Sequence, residues 1–242
     1  MGRDKKKVEQ TVQELTQKHP SQHFKGVIRN FSEATEPSFF ENLVAEVKEL
    51  DISMIVNNVG VMSKDSIGIL DKEKAKDMVI VNCLVMTMMN QHFLPLLNAR
   101  KTRSAMLDVS SVNSTLPMCI AEIYAATKTF DRYITLGAAS SGKYKNVDFL
   151  SFQSGRVSTE MNDNCDESLL TNNVDDAVNG CLRNLGWTVE TNGPARAALL
   201  GYVFSICREF LPVTLAANLA PLAHDTLDKL FRYKAKSEYI HD

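Results

Sequence analysis

Apolar residues along this chain follow two alternating spacings, which predict a succession of helices and strands. Between Lys5 and Lys18 they recur every three or four positions, as in a helix that buries one face. Between Ile52 and Val56 they are continuous, as in a strand covered on both sides. The same patterns predict further helices over 38–50, 72–98, 121–140 and 174–185, and further strands over 24–31, 105–109, 147–152 and 196–203.

This alternation indicates an α/β fold with a doubly wound, Rossmann-like parallel sheet, because continuous apolar strands need helices on both faces. Asp71 and Asn173 are expected to cap two of the helices, and Pro95 to bend the long one. Helical segments broken by Pro212 and Pro221 are predicted at the end of the chain. The 242 residues suit one large domain or two small ones.

Composition narrows the functional classes. Hydrophobic residues make up 44% and charged residues 23%, which is ordinary for a soluble globular protein. A net charge of −2 without a basic stripe argues against nucleic acid as a partner. The five cysteines form no Cys-x-x-Cys pair, so neither a metal site nor a disulfide framework is indicated. The most apolar segment, 197–207, is shorter than the ~20 residues of a membrane span, although it could lie on a membrane surface.

Polar residues follow four successive predicted strands. They are Asn30, Asn57, Asn58, Ser110, Ser111, Ser154 and Gly155. Each turn alone is explained equally well by the turn preferences of these residue types. Ligands of open parallel sheets bind beyond the carboxyl ends of the strands, so four such ends favour a binding site.

Tyr124 and Lys128 stand four residues apart on a predicted helix and therefore share one of its faces. A nearby ammonium favours the phenolate form of a phenol and makes it a better proton donor or acceptor near neutrality. Ser111 ends the predicted apolar strand thirteen residues earlier. The three side chains suit a site that polarises a carbonyl, although Tyr and Lys also meet by coincidence on many helices.

Several motifs surround this pair in a characteristic order. They are Asn-Asn-Val-Gly at 57–60, a helical asparagine at 82, Ser-Ser at 110–111 with Tyr-x-x-x-Lys at 124–128, and Gly-x-Val-x-Thr at 155–159. Together they resemble the short-chain dehydrogenase/reductase family. Thr-Phe at 129–130 and Thr-Asn-Gly at 191–193 narrow the resemblance to the microsomal branch of 17-beta-hydroxysteroid dehydrogenases and very-long-chain 3-oxoacyl-CoA reductases.

The resemblance implies an NADP(H)-dependent oxidoreductase that reduces a keto group of a steroid or 3-oxoacyl-CoA type lipid. If the family's roles apply to the matching residues, Tyr124 gives a proton to the carbonyl oxygen while hydride arrives from the nicotinamide. Lys128 makes Tyr124 more acidic and holds the nicotinamide ribose, and Ser111 hydrogen-bonds the substrate oxygen. Asn82 would anchor a water that links Lys128 to solvent; a core amide bonded to backbone is the alternative.

The cofactor-binding residues implied by the resemblance, besides Tyr124 and Lys128, are Val157 and Thr159 at the nicotinamide end, Asn30, Phe31 and Asn58 on the adenosine side, and Arg3 near the 2′-phosphate of NADP. Thr159 could instead be only a helix cap, and an exposed Arg3 only solvated.

Compared with the family pattern, the chain lacks the first strand, the Gly-rich phosphate loop and most of the second strand. It is thus expected to be a single truncated domain over 1–242, with 187–242 as a C-terminal segment on the substrate or membrane side. The alternative to an enzyme is a catalytically inactive dehydrogenase-like protein or dimerisation partner. A third, weaker alternative is a membrane-surface module that uses residues 197–207.

The resemblance also implies a lipid-like carbonyl substrate and a homodimer, and it allows peripheral contact with a membrane. It implies the endoplasmic reticulum as location, or the cytosol if the N-terminal membrane anchor is indeed absent.

Overall fold

Parallel strands form the main sheet of the protein. A computed structural model describes residues 1–162, 166–168 and 171–219. In these residues the strands are β1 (Met54–Asn57), β2 (Ser104–Ser111), β3 (Val147–Ser154), β4 (Arg156–Val157), β5 (Thr171–Asn172) and β6 (Glu190–Thr191). The main sheet has the order β1, β2, β3, β6 with every pairing parallel, and β4 pairs with β5 separately.

Helices occupy the connections between the strands. They are α1 (Lys5–Lys18), α2 (Pro37–Val47), α3 (Lys72–Val79), α4 (Val85–Asn98), α5 (Glu122–Ser140), α6 (Val174–Leu182) and α7 (Ala195–Phe210). Asp71 accepts a hydrogen bond from the Lys74 amide at the start of α3, and Asn173 accepts one from the Asp176 amide at the start of α6. Both predicted caps are confirmed.

Core clusters lie on both faces of the sheet, because neighbouring residues of a strand point in opposite directions. Met106 of β2 belongs to a cluster with Phe40 of α2 and Phe93 of α4. Leu107, the next residue, belongs to another with Ala177 of α6. Helices therefore cover both faces, and the predicted α/β class with a doubly wound parallel sheet is confirmed.

The strand predicted over 24–31 is wrong. Only a single parallel bridge forms there, in which the Gly2 amide donates to Val27 O and the Arg29 amide donates to Gly2 O. The segment then enters a 3₁₀ turn over Phe31–Glu33. A strand requires backbone partners along its length, and among the described residues Gly2 alone supplies them.

The strand predicted over 196–203 is also wrong, because these residues lie within α7. Short apolar runs do not distinguish a buried strand from a helix by periodicity alone. The strand that joins the sheet is β6, which precedes this segment. Residues beyond 219, including the helix break predicted at Pro221 and the end of the predicted 187–242 segment, lie outside the described residues.

The long helix predicted over 72–98 contains a π-helical segment, and the bend expected at Pro95 stays a prediction. A π-helical segment, Ile80–Leu84, joins α3 to α4, while Pro95 lies inside α4. In the described part of the chain, this 27-residue stretch is also the one helix long and apolar enough to span a membrane. Half of its most apolar window is buried within the protein, as is typical of a core helix.

Two helical glycines provide a test of how closely α6 packs. A Cβ added to Gly180 would lie 2.5 Å from Pro194 N and 2.8 Å from Gly193 C, so backbone approaches backbone there. A Cβ added to Gly137 in α5 would meet nothing within 4 Å. Gly180→Ala is therefore expected to lower the free energy of unfolding by about 1–3 kcal/mol through overpacking. Gly137→Ala should raise it by about 0.5–1 kcal/mol through helix propensity.

Urea denaturation of both variants measures the difference. Stabilisation of equal size by both substitutions would contradict the close packing of α6 against residues 193–194.

Candidate active site

Tyr124 and Lys128 lie on one face of α5, where this helix crosses the carboxyl end of β2. Both residues are buried, with Tyr124 8% and Lys128 5% exposed. The Lys128 ammonium nitrogen lies 6.0 Å from the centroid of the Tyr124 ring, within the range of a cation–π contact. The spacing in the sequence thus produces a close phenol–ammonium pair.

The Lys128 ammonium is held by two protein groups. It donates to Val109 O in β2 at 2.9 Å and to Asp131 Oδ2, one turn further along α5, at 2.9 Å. In addition, Ser110 Oγ donates to the backbone oxygen of Lys128 at 2.6 Å. These bonds attach α5 to the end of β2, and they occupy two of the three N–H groups of the ammonium.

Asn82 lies in the π segment and is 2% exposed. Its Oδ1 accepts from the Val61 amide at 2.9 Å, and its Nδ2 donates to Val61 O at 3.0 Å and to Thr127 Oγ1 at 2.9 Å. The Thr127 hydroxyl in turn donates to Tyr124 O at 2.8 Å. These bonds match the core-amide alternative, and the water-anchoring role of Asn82 stays a prediction.

Ser111 is the last residue of β2 and is buried. Its Oγ accepts from the Asn113 amide at 3.2 Å and caps a 3₁₀ turn over Val112–Ser114. It is two positions after Val109, whose carbonyl accepts a hydrogen bond from the Lys128 ammonium. Ser111 therefore lies at the strand end that α5 crosses, as the sequence predicts.

Gly60 leaves space beside Asn82 and the Lys128 ammonium because it has no side chain. A Cβ at this position would lie 3.4 Å from Asn82 Oδ1 and 3.5 Å from Lys128 Nζ. The loop after β1 therefore brings backbone without a side chain close to the ammonium, whose third N–H has no acceptor among the described residues and could bind a ligand. A ribose presents hydroxyl acceptors that suit such a donor, so these residues fit the nicotinamide ribose of a dinucleotide.

The residues predicted at the nicotinamide end lie around β4. Val157 is half-buried, and its carbonyl accepts from Asn162 Nδ2 at 2.9 Å. The Thr159 hydroxyl donates to the same carbonyl at 3.4 Å, and Thr159 O accepts from the Asn162 amide. Thr159 thus begins the 3₁₀ turn over Glu160–Asn162, in keeping with the alternative that it only starts a helical turn.

The residues predicted on the adenosine side are more dispersed. Asn30 caps the turn over Phe31–Glu33 by accepting from the Ser32 amide, and this turn contacts the π segment. Phe31 is buried in the core, with its ring centroid 5.8 Å from that of Phe39. Arg3 and Asn58 are exposed. Among the described hydrogen bonds, none joins these four residues to Tyr124 or Lys128.

A largely buried polar cluster lies beneath the pair, and only one of its members, Asn57, was identified from the sequence. Its members are Asn57, Asn90, Asp108, Asp131 and Thr135. Burial raises the pKa of Asp131 to about 6, although Lys128 acts to lower it. Burial also raises the pKa of Asp108, although bonds from Thr135 and Asn57 oppose this. The available signals were an aspartate inside an apolar strand and another three residues after Lys128.

Comparison with known proteins yields the same family as the motifs. A very-long-chain 3-oxoacyl-CoA reductase of Anas platyrhynchos is 26% identical over 98% of this chain and 75% of its own length. A 17-beta-hydroxysteroid dehydrogenase type 3 of Danio rerio is 28% identical over 70% of this chain, which spans 56% of that relative.

Solved structures share the fold at low identity. One is a structure from work on the stereoselectivity of a 7beta-hydroxysteroid dehydrogenase, with a TM-score of 0.76 and 19% sequence identity. The match covers 89% of this chain and 83% of that one. A short-chain dehydrogenase from Sphingobium yanoikuyae in complex with NADPH has a TM-score of 0.70 and 17% identity, covering 86% of this chain and 82% of its own. Residues 1–169 match the short chain dehydrogenase family. The chain therefore belongs to the short-chain dehydrogenases, a family of oxidoreductases.

Proposed function

We propose that the protein is an NADP(H)-dependent oxidoreductase that reduces a keto group of a steroid or 3-oxoacyl-CoA type lipid. The observation that carries this proposal is the buried Tyr124–Lys128 pair at the carboxyl end of β2, beside Ser111. Family membership supports the reaction class. The relatives named as a 3-oxoacyl-CoA reductase and a hydroxysteroid dehydrogenase support the substrate class.

In this mechanism Tyr124 is the proton donor. When bound, the cofactor NADPH would be the source of the hydride for the carbonyl carbon. The Tyr124 hydroxyl gives its proton to the carbonyl oxygen, and the adjacent Lys128 ammonium stabilises the phenolate that remains. The Ser111 hydroxyl donates a hydrogen bond to the same oxygen as negative charge develops on it. Thr127 and Asn82 hold the backbone of α5 at Tyr124, so that the phenol keeps its place.

The cofactor would be held along the carboxyl edge of the sheet. The third N–H of Lys128 would bind the nicotinamide ribose in the space beside Gly60, with Val157 and Thr159 near the nicotinamide. Asn30 and Asn58 would contact the adenosine, and Phe31 would contribute through its backbone, since its side chain is in the core. Arg3 would pair with the 2′-phosphate.

Exposed apolar residues on α7 support a lipid-like substrate and contact with a membrane surface. Leu199, Tyr202 and Phe210 are exposed on this helix. A homodimer and a location at the endoplasmic reticulum complete the proposal, in keeping with the microsomal branch. Exposed Phe130 and Tyr133 on α5 would suit a subunit contact.

A catalytically inactive protein is the second candidate. It is favoured by one observation, namely that Asp131 and Val109 already engage the Lys128 ammonium. The two candidates differ in whether the protein turns over a carbonyl substrate, and this can be measured.

Tyr124→Phe removes the proposed proton donor and keeps the ring. We expect NADPH-dependent reduction of a long-chain 3-oxoacyl-CoA or a 17-ketosteroid to fall about 10²–10⁴-fold in kcat, with cofactor binding retained. Tyr133→Phe, on the exposed side of the same helix, is the matched control and should leave turnover unchanged. Undiminished turnover in Tyr124→Phe would remove Tyr124 from the mechanism. Cofactor binding without turnover in the unmodified protein would favour the inactive candidate.

Arg3→Ala tests the preference for NADPH over NADH. Loss of a charge-assisted contact with the 2′-phosphate should weaken NADPH binding roughly ten- to hundredfold, as measured by calorimetry, and leave NADH binding unchanged. Lys6→Ala removes a neighbouring exposed cation and serves as the control. Equal weakening of both cofactors by Arg3→Ala would exclude a role in recognising the phosphate.

A further inference from the structure

The ion pair between Lys128 and Asp131 is unusual in its burial. The Lys128 side chain is 6% exposed and that of Asp131 4%, with 2.9 Å between Nζ and Oδ2. The second carboxylate oxygen, Asp131 Oδ1, is buried and has no hydrogen-bond partner in the part of the chain that the structure describes. A buried carboxylate with one oxygen unpaired carries a desolvation cost that an apolar side chain would avoid. Stability alone therefore does not account for an aspartate at this position.

The position of the pair relates Asp131 to the proposed chemistry. Tyr124, Lys128 and Asp131 follow one another along the same face of α5, at intervals of four and three residues. Lys128 Nζ lies 6.0 Å from the centroid of the phenol ring and 2.9 Å from the carboxylate. Because the carboxylate binds the ammonium directly, it determines both where the positive charge lies and how much of its potential reaches Tyr124.

We propose that Asp131 is a positioning residue, which fixes the Lys128 ammonium against the end of β2 and offsets part of its effect on Tyr124. This inference rests on the proposed function and extends it to a residue outside the predicted site. Asp131 then reduces the electrostatic stabilisation that the Lys128 ammonium gives to a Tyr124 phenolate.

Two titratable groups interact electrostatically with Asp131 from neighbouring elements, Asp108 of β2 and Cys83 of the π segment. A third, Lys128, is on the same helix. Burial raises the pKa of the Cys83 thiol to about 12, so this group stays neutral. Burial raises the pKa of Asp131 to about 6, so its carboxyl is charged over the range of pH in which a phenol titrates.

Asp131→Asn removes the negative charge and preserves size, which leaves the Lys128 ammonium uncompensated. Seven residues of helix separate positions 124 and 131 by about 10 Å. At that separation, a unit charge in a medium of effective dielectric constant near 20 shifts a titration by roughly one pH unit. We expect the Tyr124 phenolate to form at a pH lower by this amount, and the alkaline limb of the activity profile to move equally.

The titration is followed by ultraviolet difference spectroscopy, with Tyr124→Phe as the reference that isolates the signal of this phenol. Asp175→Asn removes an exposed charge from α6 and is the matched control, expected to shift nothing. An unshifted Tyr124 titration in Asp131→Asn would overturn the inference. The titration requires neither cofactor nor turnover. Its result is therefore independent of whether the protein has the proposed activity, which the kinetics of Tyr124→Phe test.

A double variant, Lys128→Met with Asp131→Leu, keeps the inference testable if Asp131→Asn does not fold. It removes both buried charges and so leaves neither unpaired. The ammonium lies 6.0 Å from the centroid of the Tyr124 ring, whereas position 131 is about 10 Å along the helix from position 124. We therefore expect the loss of the ammonium to dominate, so that the Tyr124 phenolate forms at higher pH than in the unmodified protein. A titration at the same or a lower pH would contradict the arrangement proposed here.

Discussion

Hydrogen bonds between buried polar groups fix α5 against β2, and the geometry of the candidate site depends on them. Ser110 Oγ bonds to Lys128 O, Lys128 Nζ bonds to Val109 O, and Thr135 Oγ1 bonds to Asp108 Oδ2 at 2.7 Å. Each buried donor or acceptor left without its partner would cost about 1–3 kcal/mol. The helix therefore cannot slide or rotate on the strand without loss, and Tyr124 is held at the strand end.

Much of the fold could be predicted because the relevant signals are local. A helix with one apolar face shows its period within a few turns, and α1 spans the residues predicted for it. Capping residues such as Asp71 and Asn173 act on amides two or three positions away. The pairing of Tyr124 with Lys128 is of the same kind, since four residues of helix set it.

The remainder depends on contacts between distant parts of the chain. Residues 24–31 have the composition of a strand, but pairing requires a neighbour that composition does not reveal. Asp108 was included in an apolar run, and only the fold shows that it meets Asn57 and Thr135 in the interior. Asp131 looks like an ordinary helix-surface charge until α5 is placed on the sheet, where it becomes the buried counter-ion of Lys128.

The attachment of Asn82 to Val61 has a consequence for how this loop can vary. The carboxamide pairs with both the N–H and the C=O of one residue, much as a neighbouring strand would. Both bonds go to backbone atoms, so they do not depend on which side chain is present at position 61. Substitutions there would alter packing while the loop stays tethered to the π segment; proline, which has no N–H, is the exception. The loop that contains Gly60 and Val61 can thus stay close to the Lys128 ammonium when the side chain at position 61 changes.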